Sequence, residues 1–323
     1  MSTDRLQGAV HSHMWIVGVL GIGAGAAIMV FLPQLKVVSA SLLLFAGFHV
    51  LGAVVLLSSL WVVALRRAAR RLFRPAPAAA MDFGWGPGWM NGLAIAALIA
   101  ATLAIAVMAA APAWWPAAFA LVLLCANFIV GNVIMRGFRR RDQVVLPMVD
   151  LLTGERDVVL DAGCGSGRTT IALSRVLKDG HVVAVDRFDA GYIDDGGRAL
   201  LERNLALAGL TERVTVETAD LTAIPFNDGD FDAAVSTHVY DHLGPHKQKG
   251  LDEAFRVLKP GGRFLLGVWV PGWTMFAVAN VGAFLLTSKA AWRAMAGRAG
   301  FEVVDEGVFN NTWFVVLRKP AAA

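Results

Sequence analysis

The sequence predicts two domains of different fold class: an α-helical membrane domain over residues 1–140 and an α/β domain with a mostly parallel sheet over residues 141–323. Three observations support this division. The chain is 56% hydrophobic and only 17% charged, whereas soluble proteins have about 25% charged residues. Charges are scarce over residues 14–135. After residue 156, short apolar runs alternate with helical patterns, which is typical of a doubly wound sheet.

Four apolar stretches in the first domain approach or exceed the roughly 20 residues that cross a hydrocarbon core. They are residues 14–32, 38–65, 91–111 and 114–135. The first is longer than the apolar region of a typical signal peptide, and a second stretch follows it at once, so we interpret it as a retained helix. The sequence therefore predicts four transmembrane helices in two hairpins.

Arginines mark one side of these predicted helices. They lie between the second and third stretches and again after the fourth, at Arg66, Arg67, Arg70, Arg71, Arg74, Arg136, Arg139, Arg140 and Arg141. The positive-inside rule places both termini and the whole second domain in the cytoplasm. We expect an integral protein of a bacterial inner or cell membrane, with the lipid bilayer as a partner. The net charge of +4 is modest and no nucleic-acid-reading motif accompanies it, so nucleic acid is not an expected partner.

The loop at residues 74–88, between the second and third stretches, is rich in Pro, Ala and Gly. Phe83, Trp85 and Trp89 are aromatic residues of the kind that lie at the level of lipid headgroups. We therefore expect an interfacial loop close to the second domain.

A glycine-rich turn follows the first strand of the second domain. The apolar run DVVLDA at residues 157–162 leads directly into Gly163, Gly165 and Gly167. Glycine lets the backbone approach a ligand where a Cβ atom would collide. The dinucleotide fingerprint G-x-G-x-x-G would require glycine where Arg168 stands, and no G-K-[ST] of a P-loop follows. A nicotinamide oxidoreductase is therefore the poorest interpretation.

Acidic residues end the next two predicted strands. Asp186 closes the run 181–186, where a carboxylate accepts the hydrogen bonds of both ribose hydroxyls. Asp220 follows the run 214–219, where a carboxylate meets an adenine amino group. Ligands of open α/β sheets bind beyond the carboxyl ends of the strands, at the reversal of strand order. These positions predict a nucleoside cofactor site.

Four motifs in this domain resemble, in order, the class I S-adenosylmethionine-dependent methyltransferases of the quinone- and small-molecule-methylating branch. They are LDAGCGSGRTT, VDRFD, TADLTAIPFNDGDFDAAVS and EAFRVLKPGGRFLL, and the resemblance covers residues 145–318. It implies a Rossmann-like fold with a mostly parallel seven-stranded sheet, S-adenosylmethionine as cofactor and methyl transfer as the activity. The membrane domain lies outside this resemblance.

The resemblance also assigns cofactor-binding roles to residues of these motifs. Grouped by the part of the cofactor, they are Asp161, Gly163, Cys164 and Gly165 at the methionine and ribose, Asp186 at the ribose hydroxyls, Arg187 or Phe188 beside the adenine, Asp220 and Leu221 at the adenine edge, and Ser236 and Thr237 near the sulfonium. For Leu221 a place in the core is the alternative. No metal site is expected, because no Cys/His pattern has the spacing of zinc ligands.

The stretch after the fourth strand supplies candidates for acid–base chemistry on the acceptor side. His238, Tyr240 and His242 are the candidate catalytic residues, and Asp241 is placed to orient a histidine or attract a cationic acceptor. Imidazole titrates near neutrality, so His238 or His242 is suited to removing a proton from a hydroxyl, thiol or ammonium group. A loop or packing role is the alternative for each histidine.

Residues 269–287, after the fifth strand, carry no charge. The stretch is interrupted by Pro271 and Gly272, which favours a re-entrant or interfacial segment; packing against the helical domain is the alternative. Either interpretation puts this face of the second domain against the bilayer, and our hypothesis is that it forms an entrance for the methyl acceptor from the lipid phase.

The sequence thus favours a membrane-anchored methyltransferase acting on a lipophilic or membrane-resident acceptor. A quinone-like ring, a lipid headgroup and a small lipophilic molecule all fit this description. Two alternatives stay open: cyclopropanation of acyl chains with the same cofactor, and a non-catalytic membrane sensor or scaffold that binds S-adenosylmethionine.

Overall fold

In chain order the helices and strands are α1 (Leu20–Phe31), α2 (Pro33–Gly47), α3 (Pro87–Ala110), α4 (Trp115–Phe138), β1 (Val158–Ala162), α5 (Arg168–Val176), β2 (His181–Asp186), α6 (Arg198–Ala208), β3 (Val214–Thr218), β4 (Phe231–Thr237), α7 (Lys247–Val257), β5 (Leu258–Val268), α8 (Trp273–Ala279), α9 (Lys289–Ala299), β6 (Glu302–Phe309) and β7 (Thr312–Arg318). This computed structural model describes residues 20–47, 80–84, 87–138, 151–152, 154–190, 194–279, 283, 286–309 and 311–321.

The chain divides into two units, and each is assembled from separate parts of the sequence. The helical unit comprises the described parts of Met1–Pro75, Gly86–Arg139 and Pro271–Leu285. The α/β unit comprises those of Ala76–Trp85, Arg140–Val270 and Leu286–Ala323. A single boundary near residue 140 therefore does not separate the units. The segment Ala76–Trp85 belongs to the α/β unit although it precedes that boundary, and Pro271–Leu285 belongs to the helical unit although it follows it.

Two helices of the helical unit are long and apolar enough to cross a membrane. Within the described residues these are Asn91–Ala110 and Pro112–Arg136, which coincide with the third and fourth predicted spans. The helices α1 and α2 are apolar but shorter. The first helix ends at Phe31, and the second begins at Pro33. The first two predicted spans, 14–32 and 38–65, fall partly outside the described residues, so four transmembrane helices stay a prediction.

A glycine lets α8 approach α4 closely within the helical unit. A Cβ atom on Gly131 of α4 would collide with the backbone carbonyl of Ala277 in α8. The same Cβ would lie 3.0 Å from a methyl carbon of Leu93 in α3. Small residues at such a crossing allow backbone-to-backbone packing. Of the two interpretations of the uncharged stretch, packing against the helical domain therefore agrees with the structure over α8.

The α/β unit is built on a seven-stranded sheet with the order β3-β2-β1-β4-β5-β7-β6. The strands β1 to β5 are parallel to one another, and β7 runs antiparallel to both β5 and β6. This agrees with the mostly parallel seven-stranded sheet implied by the resemblance. Strand order reverses between β1 and β4, so their carboxyl ends border the position where such sheets bind ligands.

The central parallel strands β1, β2 and β4 are buried on both faces. Along β1, Val159 belongs to one hydrophobic cluster and Leu160 to the other, and Ala184 and Val185 of β2 alternate in the same way. Neighbouring residues of a strand point to opposite faces, so strands between two helical layers are apolar throughout. This is why the sequence shows uninterrupted apolar runs at these strands.

The close approach at Gly131 gives the first prediction. Gly131→Ala is expected to destabilise the helical unit by about 1–3 kcal/mol, because the added methyl group overpacks the α4–α8 crossing. The measurement is thermal unfolding of the full chain in detergent, together with amide exchange over 273–279. Gly297→Ala in α9 is the matched control: its Cβ meets no atom within 4 Å, so the change is expected to stabilise by about 0.5–1 kcal/mol. Equal effects of both variants would contradict the packing role.

Candidate active site

The glycine-rich turn between β1 and α5 has the backbone conformation that only glycine adopts easily. Gly163, Gly165 and Gly167 have φ angles of 89°, 50° and 88°. At Gly163 space is limiting as well, since a Cβ would lie 2.5 Å from the side chain of Val239. The Gly163 N–H donates to the Val185 carbonyl at 2.7 Å, which fixes the turn against the end of β2. At its three glycines the turn therefore presents backbone at the carboxyl edge of the sheet.

Asp186 at the end of β2 is bound to this turn. Its Oδ2 accepts a hydrogen bond from the Gly165 N–H at 2.9 Å, and its Oδ1 accepts one from the Phe188 N–H at 2.8 Å. Burial raises the pKa of the Asp186 carboxyl above its ordinary value, although both backbone bonds oppose the rise. A half-buried carboxylate at this position has lone pairs left for a diol, which is the chemistry expected for ribose.

Asp161 in β1 is a fully buried acid with one unsatisfied oxygen. Its Oδ2 accepts from the Thr170 hydroxyl at 2.6 Å, while its Oδ1 has no partner among the described residues. Burial raises the pKa of this carboxyl to about 7, and the nearby charge of Asp186 adds to the rise. A buried acceptor without a donor is costly unless a ligand satisfies it. The cationic ammonium and sulfonium groups of S-adenosylmethionine fit such a site.

The side chains of the residues predicted around the adenine differ in their exposure to solvent. Arg187 lies 3.2 Å from the Asp189 carboxylate and 3.7 Å from that of Asp220. The hydrogen bond from the Thr222 N–H is the largest cause that holds the pKa of Asp220 below its usual value. The positive charge of Arg187 lowers this pKa further. The side chain of Leu221 belongs to the hydrophobic core, which leaves only its backbone for a ligand.

Cys164 and Ser236 have buried side chains with structural partners. The Cys164 side chain packs in the core, and burial raises the pKa of its thiol. The Ser236 hydroxyl donates to the Ala162 carbonyl at 2.6 Å, and the hydroxyls of Thr237 and Thr169 are 2.8 Å apart. The last residues of β4 are therefore bound to β1 and to the first turn of α5. They shape the site, and only Thr237 leaves part of its side chain exposed.

His238 follows β4 in a left-handed conformation, with φ 60°. Its N–H donates to the Gly267 carbonyl at 2.8 Å, and its ring lies 5.2 Å from the Trp269 ring. Its Nε2 is 3.4 Å from the Thr312 hydroxyl. Burial lowers the pKa of the imidazole to about 4, partly opposed by the charge of Asp241. His238 is therefore neutral at pH 7 and able to accept a proton, but it is a weak base.

The other two candidate catalytic residues differ in their surroundings. Tyr240 is fully buried in the core; its hydroxyl donates to the Gly250 carbonyl at 3.2 Å, and burial raises its pKa strongly. The structure does not bring this hydroxyl to the carboxyl edge, which corrects the expectation for Tyr240. His242 is exposed. One carboxylate oxygen of Asp241 is 3.5 Å from the backbone nitrogen of Trp269. The other carboxylate oxygen is buried and has no hydrogen-bond partner among the described residues.

Sequence reasoning missed several residues of this region. Thr312 lies beside His238 because β7 returns antiparallel to β5, a pairing that a local motif does not reveal. Asn204 is a fully buried amide in α6 that binds the backbone of Asp82. Its place between Leu201 and Leu205 on the buried face of α6 was the available signal, because a polar residue on such a face requires a partner. Phe83, expected at lipid headgroups, packs against the core of the α/β unit instead.

Comparison with known proteins agrees with this geometry. Residues 159–262 match the family model described as a methyltransferase domain. This match identifies a methyltransferase domain over residues 159–262, and the sheet order and the acids at its carboxyl edge agree with a class I enzyme that uses S-adenosylmethionine.

Several similar proteins are methyltransferases. The chain is 40% identical over 116 residues to a demethylmenaquinone methyltransferase of Clavibacter sepedonicus, an alignment that covers 36% of this chain and 41% of the relative. It is 31% identical over 110 residues to a demethylmenaquinone methyltransferase of Symbiobacterium thermophilum, covering 34% and 41%. A solved S-adenosylmethionine-dependent methyltransferase from Methanosarcina mazei superposes with a TM-score of 0.45 at 18% identity, over 55% of this chain and 99% of that one. The chain thus spans about two fifths of the two curated relatives.

The buried acid gives a prediction on pH. Cofactor affinity is expected to rise about tenfold per pH unit below the Asp161 pKa of about 7 and to level off above it, because a carboxylate pairs with a cation and a neutral carboxyl does not. Calorimetry with S-adenosylmethionine from pH 5.5 to 8.5 measures this. Asp161→Asn is expected to bind more weakly and to lose the slope, whereas the surface variant Asp179→Asn keeps it. The same slope in Asp161→Asn and in the wild type would refute the assignment.

Proposed function

We propose that this chain is an integral membrane enzyme that transfers a methyl group from S-adenosylmethionine to a lipophilic, quinone-like ring acceptor. The observation that carries the proposal is the combination, in one chain, of a methyltransferase cofactor site with helices whose apolar side chains face outward. Neither feature alone selects a lipophilic acceptor. An enzyme with a water-soluble acceptor would not require helices with outward-facing apolar side chains.

The outward faces of α3 and α4 support a membrane location. Leu98, Ile105 and Val133 are 68%, 72% and 64% exposed. Large apolar side chains in contiguous rows are unfavourable in water and favourable among lipid chains. The proposal includes the four-span arrangement, with both termini and the α/β unit on the cytoplasmic side. Its basis is the arginine distribution in the sequence.

The segment after β5 supports a route for the acceptor from the lipid phase. The chain leaves the sheet at Val268 and forms α8 within the helical unit before α9 resumes the α/β unit. Trp273 of α8 is 82% exposed, with its ring 5.9 Å from the ring of Phe276. Exposed tryptophan with an apolar body and a polar N–H is typical of membrane interfaces. Trp269, beside His238, lies only four residues earlier in the chain.

The aromatic ring of Trp269 beside His238 supports an acceptor with a ring. Held by the glycine-rich turn and Asp186, S-adenosylmethionine would supply an activated methyl group for the acceptor carbon, with its sulfur as the leaving group. The protein must therefore hold the acceptor in line, exclude water and receive a proton. Neutral His238 can receive this proton, although its lowered pKa makes it a weak base for a phenolic hydroxyl. The Trp269 ring beside it offers an apolar surface for an aromatic ring.

A methylation assay on the full chain in lipid nanodiscs tests the proposal. The purified protein is incubated with methyl-labelled S-adenosylmethionine and either a demethylated naphthoquinol or total lipid extract, and products are located by mass spectrometry. We expect label on the quinol ring, and its loss together with a more than tenfold weaker cofactor affinity in Asp186→Ala. Label within an acyl chain would indicate cyclopropanation, and label on a headgroup a lipid methyltransferase. Cofactor binding without any transfer would indicate a sensor or scaffold.

The role of α8 is tested separately by charge. Trp273→Asp is expected to raise KM for a lipophilic quinol in nanodiscs about tenfold, because a carboxylate at the interface disfavours insertion. Calorimetry is expected to show unchanged affinity for S-adenosylmethionine. Val308→Asp is the matched control, since Val308 is an apolar residue of the α/β unit with 64% exposure. An unchanged KM in Trp273→Asp would argue against an acceptor route at α8.

A further inference from the structure

The short segment 80–84, which precedes the membrane helix α3 in the chain, is part of the α/β unit. Asn204 in α6 binds it at two points: its Oδ1 accepts from the Asp82 N–H at 3.0 Å, and its Nδ2 donates to the Asp82 carbonyl at 2.8 Å. One amide thus satisfies both backbone groups of a single residue. This two-point contact defines the position and the direction of the segment.

The same amide reaches the glycine-rich turn. The Nδ2 of Asn204 also donates to the Ser166 carbonyl at 2.9 Å, and the Ser166 hydroxyl donates to the Phe83 carbonyl at 3.0 Å. The segment 80–84, Asn204 and the glycine-rich turn therefore form a closed network. Asn204 is fully buried and Ser166 nearly so, which makes each missing bond costly.

Local structure keeps the segment in place. Met81 and Phe83 pack against the hydrophobic cluster under α5 and α6. The Asp82 carboxylate accepts a hydrogen bond from the Gly84 N–H at 2.9 Å, and Gly84 has φ 75°. The turn that ends the segment is thus closed by its own side chain. The chain begins α3 only three residues later, at Pro87.

We propose that Asn204 is a positioning residue for cofactor binding and that the segment 80–84 is energetically coupled to the S-adenosylmethionine site. Ser166 stands between Gly165, whose N–H binds Asp186, and Gly167, which caps α5. A shift of Ser166 moves both neighbours. Loss of the segment from its place therefore loosens the turn that presents backbone to the cofactor, and cofactor binding in return stabilises the segment, since coupling is reciprocal. This inference depends on the cofactor site and holds for any acceptor.

Two variants and a matched control test the coupling in the full chain in detergent. Ser166→Ala removes one hydrogen bond to the segment. Asn204→Ala removes three hydrogen bonds, two to Asp82 and one to Ser166. Ser174→Ala is the control, because it also deletes a buried hydroxyl bonded to a carbonyl, that of Thr170 at 2.8 Å, but does not touch the segment. Calorimetry gives the affinity for S-adenosylmethionine. Hydrogen exchange gives the protection of the Asp82 and Gly84 amides with and without the cofactor.

We expect saturating S-adenosylmethionine to slow exchange at the Asp82 and Gly84 amides in the wild type and in Ser174→Ala. Ser166→Ala is expected to bind the cofactor about tenfold more weakly and to exchange faster at these amides, with a larger effect in Asn204→Ala. If Asn204→Ala does not fold, Ser166→Ala decides alone. Wild-type affinity in Ser166→Ala despite fast exchange at the segment would overturn the proposal, as would amide exchange in the wild type that ignores the cofactor.

Discussion

The reversal of strand order between β1 and β4 is the constraint on which the site depends. The chain fills one side of β1 with β2 and β3 and then crosses to the other side with β4 and β5. Connections on the two sides diverge at the carboxyl edge and leave a crevice there. Two contacts hold the base of this crevice together: the Ser236 hydroxyl on the Ala162 carbonyl, and the Thr169–Thr237 pair. Glycines in the turn are needed because the crevice is narrow, as the contact between Gly163 and Val239 shows.

Local motifs allowed much of the α/β unit to be predicted. The strands, the glycine turn and the ends of β2 and β3 follow from short apolar runs and the residues next to them. Asp186 lies where its motif implies because a strand end and a turn are local structures. Tyr240 does not, because whether a residue after a strand points to the crevice or to the core depends on packing with α7 and β5. The hydroxyl bond to Gly250 and the contact with the Phe264 ring show that packing decided.

Long-range contacts explain the rest of what sequence reasoning missed. Asn204 binds residues that lie 38 and 122 positions away in the chain, and no window of the sequence contains them together. The same holds for Gly131 and Ala277 in the helical unit. Hydropathy predicts the extent of α3 and α4 well because it sums over many residues. It carries no information on which helix face meets another backbone, so for residues 269–287 the sequence leaves two alternatives open.

Electrostatics connects the stability of the α/β unit with its cofactor. Asp161 has an ordinary pKa of 3.8 and a pKa of about 7 in the folded protein, so the folded state binds more protons than the unfolded state between these values. Stability therefore falls as pH rises from about 4 to about 7, and the full cost of the buried charge is present at and above neutral pH. Asp186, whose pKa is also raised, adds a second acid to the same edge. A cationic ligand removes this repulsion, whereas a neutral or anionic nucleoside does not. The sheet thus holds two poorly solvated acids at its carboxyl edge, and the cost of their charges would favour a cationic cofactor over a neutral or anionic one.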